Sequence, residues 1–274
     1  MSTSFVMCSL ALMSLLRDAP AFVVNKASRI PLNHRRSQLR LASRQTRPSM
    51  MSSHWMDFLK FGGSTPTFDV IERTKQYVVA SASSGQTAAE FHADDYVFRG
   101  SVVGPITAKD VADTQKGFNL LGAYPDLDRG IFGYTVDPQN PYRCLFFERW
   151  TGTNKGSIKI GDFITLPPTG KQVELPIHIS SVVWNPEGKI VYETVSSPVD
   201  RFEGNTKGSG AVFGLLAGAG LQLPAQVGDL SLVLQQRFNT DLLGGIFGKT
   251  WSAEESIPNW WKSKAKGADP NDDV

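Results

Sequence analysis

The sequence predicts an α+β fold in which one curved antiparallel sheet packs against helices. Apolar residues recur at helical spacing over residues 67–83 and 107–121. Runs rich in β-branched and aromatic residues, separated by turn signals, then follow over residues 131–200. From residue 208 the pattern becomes apolar, rich in small residues and helical again. Helices that precede a block of strands favour an α+β fold, because a parallel α/β sheet needs the two in alternation.

The N-terminal helices carry start signals as well as periodicity. Asp69 and Glu72 lie in the first turn of the stretch "TFDVIERTKQYVVASAS", where acidic side chains stabilise a helix. Thr107 is placed to cap the next helix, "AKDVADTQKGF", and Asp110 stands at its third position.

The strands are predicted by composition and by the turns between them. The runs are "IFGYTVD", "YRCLFFERWTGT", "GSIKIGDFITL", "KQVELPIHISSVVWN" and "KIVYETVSSPVD". The turn signals are "DPQNP", "TGTNKG", "PPTGK" and "NPEGK", of which the last, Asn185–Lys189, is the clearest hairpin turn.

The C-terminal region, residues 208–262, predicts an extension of helices that close over the sheet. Its segment "DLSLVLQQRFNTDLLGG" is expected to form an amphipathic helix ending at Gly244–Gly245. The alternative is peripheral membrane contact through Ile246, Phe247, Trp260 and Trp261.

The N-terminus is typical of a targeting sequence. Met1–Leu16 is apolar but short for a membrane span, and "APA" follows at Ala19–Ala21, so residues 1–21 predict a signal peptide. The alternative is a buried N-terminal helix. Residues 22–54 are basic, hydroxylated and free of acidic residues, as in a transit peptide.

Together these segments resemble the bipartite presequence of algae with secondary plastids, which implies a plastid (chloroplast) protein. The alternatives are a secreted protein with a disordered basic tail, or a tail that binds polyanions.

Charge and cysteine content exclude several classes of site. Residues 1–54 hold eight of the 28 basic and one of the 26 acidic residues, which leaves 20 basic and 25 acidic residues in the remainder. This acidic body has no basic patch interleaved with aromatic residues, so nucleic-acid binding is not expected. Cys144 is the one cysteine beyond the presequence and opens an apolar run, which predicts a buried structural thiol. Neither a metal nor a cofactor motif is present.

Several short motifs carry a family resemblance. "FHADDYVFRG" and "YPDL" precede a strand ending Arg149-Trp-Thr-Gly-Thr-Asn154-Lys-Gly156, and Pro167–Lys171 ("PPTGK") follows. In this order they resemble the SnoaL-like domain of the nuclear transport factor 2-like superfamily, over residues 67–201. That domain is a cone-shaped sheet packed on helices, and Asn154 stands where relatives often carry His.

The resemblance implies a concave apolar pocket but leaves its use open. Relatives include cyclases, isomerases, dehydratases, epoxide hydrolases and non-catalytic binders. Catalytic members use an Asp or His on the inner wall as acid or base.

His178 is the first candidate catalytic residue. It interrupts the apolar strand "PIHIS", and strand alternation places it on the same face as Ser180. It falls near the position where cyclase relatives carry a catalytic Asp, and its ordinary pKa suits proton transfer. The alternative is a hydrogen-bonded structural histidine.

Asp95 and Arg149 complete the catalytic candidates. An acidic residue near Asp95 lines the cavity of ketosteroid isomerase-like members, and Arg149 with an opposed carboxylate would resemble epoxide hydrolase-like members. The alternatives are a turn residue at Asp95 and a cross-strand salt bridge at Arg149, which projects opposite Glu148. The aromatic and amide residues expected to line the pocket are Tyr96, Tyr134, Trp150, Asn154, Trp184 and Tyr192.

Two functions remain open. The first is a plastid pocket protein that binds a small hydrophobic molecule, such as a pigment, lipid or terpenoid. The second is a cofactor-independent isomerase, cyclase or dehydratase that uses His178 and Asp95. A homodimer across the outer sheet face is an option unless the C-terminal extension covers that face.

Overall fold

The computed structural model describes residues 57–84, 88–160, 164–223, 229–246 and 248–262. The predicted signal peptide and transit segment, and Phe247, lie outside these ranges. The described residues all fall in one compact unit. Among them, no helix has the length and apolarity needed to cross a membrane.

The helices follow the predicted regions. They are α1 (Val70–Ser84), α2 (Ala108–Phe118), α3 (Leu120–Ala123), α4 (Ala211–Gly218), α5 (Leu230–Arg237) and α6 (Asn259–Lys262). Helix α5 continues as a π-helical segment, Phe238–Leu242, and 3₁₀ turns form at Asp57–Gly63, Ala89–Phe91 and Glu254–Ser256. The predicted cap of α2 is confirmed, because the Thr107 side chain accepts a hydrogen bond from the Asp110 amide at 3.4 Å.

A six-stranded sheet has the order β2-β1-β10-β9-β4-β3. Its strands are β1 (His92–Gly100), β2 (Ile106–Thr107), β3 (Ile131–Asp137), β4 (Asn140–Glu148), β9 (His178–Trp184) and β10 (Ile190–Pro198). Two small hairpin-like pairs, β5 (Thr151–Thr153) with β8 (Gln172–Glu174) and β6 (Ile158–Ile160) with β7 (Ile164–Leu166), lie beyond it. The α+β prediction is confirmed, and the "NPEGK" turn joins β9 to β10 as expected.

The sheet is mixed rather than wholly antiparallel. β1 runs parallel to β10, with His92 opposite Ile190, while the other neighbouring pairs are antiparallel. No hairpin joins these two strands, so no tight turn dictates their relative direction. Sequence periodicity reports the face of each strand but not its partner, which is why the parallel pair was not foreseen.

The inner face of the sheet packs against α1. Along β4 the side chains alternate, so that Tyr142, Cys144, Phe146 and Glu148 are buried. The Trp184 indole, also buried, donates to the Thr74 hydroxyl of α1 at 3.0 Å. We call the curved sheet with α1 against its inner face the cone. The buried Cys144 confirms the predicted structural thiol.

The C-terminal extension covers part of the outer face. Tyr192 lies next to Glu193 in β10 and therefore projects to the side opposite α1. Its ring packs on those of Trp260 and Trp261, with centroids 6.0 and 5.5 Å apart. Of the C-terminal helices, α6 lies over the sheet in this way, and Trp261 is too buried to reach a membrane.

A second apolar cluster forms beside the cone from α3, α4 and the β5–β8 segment. Tyr124, from "YPDL", is fully buried there, and its hydroxyl donates to the Leu215 carbonyl of α4 at 2.6 Å. This cluster holds the chain that leaves β4 close to the N-terminus of α4.

Asn154 joins the loops of that cluster. Its amide nitrogen donates to the Gly156 carbonyl at 3.0 Å, and its oxygen accepts from the Thr169 amide at 2.8 Å and hydroxyl at 3.1 Å. The side chain is completely buried and bonded at both ends. The pocket-lining role expected for Asn154 is therefore replaced by a structural one. In "TGTNKG" the first three residues form β5, and the last three begin the connection to β6.

Replacing Asn154 with Ala should lower the free energy of unfolding by about 2–4 kcal/mol, because buried backbone groups lose their partners. Asn205→Ala is the matched control. Asn205 also bonds two backbone groups, the Glu174 amide and the Gln172 carbonyl, but it is exposed, so water replaces it at a cost of about 1 kcal/mol or less. Urea unfolding measures both. Equal losses would contradict the structural role of Asn154.

Candidate functional site

Polar side chains gather on the inner face where β4 and β9 meet. Glu148 at the end of β4 lies directly opposite His178 at the start of β9. Strand alternation places Ser180 on the same face, as the sequence predicted. All three are buried.

Glu148 accepts three hydrogen bonds. Arg129 donates through Nε at 2.8 Å and the Trp150 indole at 2.7 Å, both to Oε2. The Nη2 of Arg129 also lies 2.8 Å from Oε2 in the ion pair. The Ser180 hydroxyl donates to Oε1 at 2.6 Å. Burial raises the pKa of Glu148, but the charge and donors of Arg129 outweigh it, so the pKa falls to about 2. The carboxylate is ionised and has no oxygen left without a donor.

His178 lacks the hydrogen bonds that its neighbours Glu148 and Ser180 make. It is 1% exposed, and neither ring nitrogen has a hydrogen-bond partner. The Pro176 carbonyl is near enough to favour the imidazolium, although not in hydrogen-bonding geometry. Burial lowers the pKa of His178 against the opposing charge of Glu148, so the ring is neutral at neutral pH. A neutral imidazole offers one donor and one acceptor.

Two neighbours shape the space around His178. The Trp150 ring meets it edge to face, with centroids 5.8 Å apart. Gly210, which caps α4, lies on the other side, where a Cβ would come within 3.9 Å of Nδ1 and 3.1 Å of Pro198. The absence of a side chain at Gly210 keeps room beside Nδ1.

A second buried carboxyl group lies on the inner face of β10. Glu193 of β10 accepts the hydroxyls of Tyr77 at 2.7 Å and Tyr96 at 2.6 Å, both on Oε2. Burial raises its pKa, against the tyrosines and the charge of Arg129. Tyr96 also stacks on His92 at 3.9 Å, and the buried ring nitrogens of His92 have no partner either. The positive charge of Arg129 thus lowers the pKa of both carboxyl groups.

The structure does not bring the other predicted catalytic residues to His178. Asp95 is exposed on β1. Arg149 projects away from Glu148 and pairs with Glu203 at 3.5 Å, with 42% of its own side chain exposed. The alternative expected for Arg149, a cross-strand salt bridge, is close to this observed pair. Its partner, Glu203, comes from the loop after β10 and not from a neighbouring strand.

The predicted pocket-lining residues are divided among several places. Tyr96 and Trp150 bond to the two buried carboxyl groups. Tyr134 stacks on Phe146 of the inner face, with centroids 5.4 Å apart. The remaining members lie elsewhere: Trp184 in the core under α1, Tyr192 on the outer face and Asn154 among the loops of the second apolar cluster.

Sequence reasoning missed Arg129, Tyr77 and Glu193. A signal for Glu193 was available, because it is the one charged residue in the strand run "IVYETVSSP". Arg129 lies in the turn-like "DLDRG" and reaches Glu148 only because the Asp128–Thr151 bridge folds that turn back. Nothing in the local pattern indicates that fold. Within the described ranges, no group of three acidic, His or Cys residues could hold a metal ion.

No family model and no curated protein matches the sequence. Solved structures similar to it include a proposed SnoaL-like polyketide cyclase from Jannaschia sp. CCS1, at 12% identity and a TM-score of 0.34 over 48% of this chain and 90% of that one. A proposed polyketide cyclase from Acidithiobacillus ferrooxidans has 18% identity and a TM-score of 0.35 over 48% and 89%.

A steroid delta-isomerase from Pseudomonas aeruginosa is also similar, at 12% identity and a TM-score of 0.30 over 57% of this chain and 90% of that one. A likeness of this size does not indicate which reaction, if any, this chain carries out.

Replacing Glu148 with Gln should lower the free energy of unfolding by about 3–5 kcal/mol, because it leaves the largely buried charge of Arg129, 19% exposed, without a counter-ion. Glu203→Gln is the matched control, since it breaks the exposed pair with Arg149 and should cost about 1 kcal/mol or less. Urea unfolding at neutral pH measures both. A cost for Glu148→Gln no larger than the control would show that the buried pair does not hold the site.

His92 and His178, whose ring nitrogens are buried, should stay neutral in mild acid. Burial lowers the pKa of His92 from 6.5 to about 4 and that of His178 in the same direction. An unfolded chain takes up these protons near 6.5, so stability should fall as the pH drops from 6.5 towards 4. NMR titration of labelled histidine rings, assigned with His92→Gln and His178→Gln, measures this directly. A midpoint near 6.5 for either ring would contradict the burial.

Proposed function

We propose that this chain is a plastid protein that binds a small, largely apolar molecule inside the cone, with one polar group of that molecule hydrogen-bonded to His178. The observation that carries the proposal is the contrast at His178. Both carboxylate oxygens of its neighbour Glu148 have protein donors, whereas both nitrogens of His178 are buried without a partner.

The energetics favour a missing partner. A buried donor or acceptor left without a hydrogen bond costs about 1–3 kcal/mol, and His178 carries one of each. A ligand carbonyl would accept from the ring, and a hydroxyl would donate to it or accept from it. Gly210 leaves room on the Nδ1 side, and the edge of Trp150 offers an apolar wall.

Glu148 itself is poorly placed to act as a general base. A general base needs a lone pair directed at the substrate, but both oxygens of this carboxylate are engaged by protein donors. Its role is then to fix Arg129 and Trp150 and to orient the wall around His178.

One observation favours the alternative, a cofactor-independent isomerase, cyclase or dehydratase. The hydroxyls of Tyr77 and Tyr96 both donate to the same oxygen of Glu193, and burial raises the pKa of this carboxyl group. With the neutral ring of His178, the cone would hold two titratable groups whose pKa values are displaced in opposite directions. In this version Glu193 takes the acid/base role that was predicted for Asp95, which is exposed.

The binding proposal is tested with ligands that differ only in the polar group. Undecanone and undecanol should bind to the full chain, as measured by calorimetry, at least about tenfold more tightly than undecane, because only they satisfy the imidazole. His178→Leu should abolish this difference. His92→Leu, which removes the other buried histidine without a partner, should preserve it.

Two results would overturn the binding proposal. One is equal affinity for undecane and the polar analogues, with native mass spectrometry of the purified chain showing no bound apolar molecule. The other is turnover of a terpenoid or polyketide ketone that is lost in Glu193→Gln, which would favour the enzyme. Import of a fluorescent fusion into the plastid, lost on deletion of residues 1–54, tests the proposed location.

A further inference from the structure

Helix α5 and its π-helical continuation turn their apolar side chains outward. We define the α5 ridge as Leu230, Val233, Leu234, Phe238 and Leu242. Their exposed fractions are 69, 37, 50, 40 and 71%. A helix on the surface of a globular protein normally buries such a stripe.

The polar side of the same helix faces the body. Gln236 donates to the Val102 carbonyl, and Asn239 donates to the Gly248 carbonyl at 2.7 Å. Leu232 is the one residue of this stretch that is buried. The helix is therefore anchored by hydrogen bonds in the orientation that leaves the ridge uncovered, rather than loosely attached.

The geometry points to a lipid surface: we propose that the α5 ridge lies in the headgroup region of a bilayer, with its side chains among the first acyl carbons. The ridge is one helix wide. Thirteen residues at 1.5 Å each give a footprint of roughly 20 by 10 Å, or about 200 Å². A stable protein interface buries about 800 Å² on each partner, so the ridge is small for a second copy of this chain.

The charged residues beside the ridge indicate which lipids it should bind. Arg237 and Asp241 are the exposed charged residues along this helix, one of each sign. Asp241 is also held in place by the Trp251 indole at 3.1 Å. Binding should therefore depend on apolar burial and not on anionic lipid. The surface differs from the one expected from sequence, because Trp260 and Trp261 pack on Tyr192.

An environment-sensitive fluorophore tests the ridge locally, so that other segments of the full chain do not confuse the result. The label is placed at Leu234→Cys in a Cys8→Ser background, since Cys144 is buried. Phosphatidylcholine vesicles should shift its emission to shorter wavelength. The same label at Phe202→Cys, a position 83% exposed and outside the ridge, should not respond.

A second variant measures the contribution of the ridge. Leu230→Ser with Leu242→Ser should raise the lipid concentration for the half-maximal shift by about tenfold, because apolar area is no longer buried. Val199→Ser with Phe202→Ser should leave it unchanged. The proposal is overturned by no shift at position 234, an equal shift at both labels, or a shift that requires phosphatidylglycerol and disappears in salt. A shift that grows with protein concentration without lipid would assign the ridge to a second copy.

Discussion

The buried ion pair between Glu148 and Arg129 is the constraint on which the interior of the cone depends. A carboxylate in an apolar sheet is stable only if its desolvation is offset, and here a guanidinium, an indole and a hydroxyl share that task. Each of these donors is thereby fixed in position. The loop that carries Arg129 must fold back over the end of β4, and Trp150 must turn inward immediately after that strand.

The fixed pair then sets the properties of the groups around it. Its negative member opposes the neutral state of His178, and its positive member partly offsets the cost of burying Glu193. Neither effect exceeds that of burial, so the imidazole is kept neutral and the second carboxyl group titrates higher than usual. The interior therefore has hydrogen-bonding capacity with little free charge, which suits a ligand that is mostly apolar and carries few polar atoms.

The local sequence pattern predicted the helices, strands and turns of this protein better than the contacts between distant segments. The period of α1, the cap at Thr107 and the hairpin at Asn185 depend on neighbouring residues, and each was correctly predicted. His178 was found because a polar residue in an apolar strand is visible in sequence. Arg129 was not, because its role depends on a loop that folds back across the sheet. Asp95 and Tyr192 were misjudged for a related reason: alternation shows that two faces exist, but not which of them another segment will cover.

The parallel pairing of β1 with β10 limits the order in which the chain can fold. β10 is not an edge strand, because it lies between β1 and β9 in the middle of the sheet. Some hundred residues separate His92 from its partner Ile190, so α1 and β1 leave the ribosome long before the strand that they need. Such non-local pairing is typical of slow folding. A chain that is still growing, or that is truncated before residue 190, lacks the centre of its sheet and not merely a border, and should remain a substrate for chaperones until synthesis passes that point.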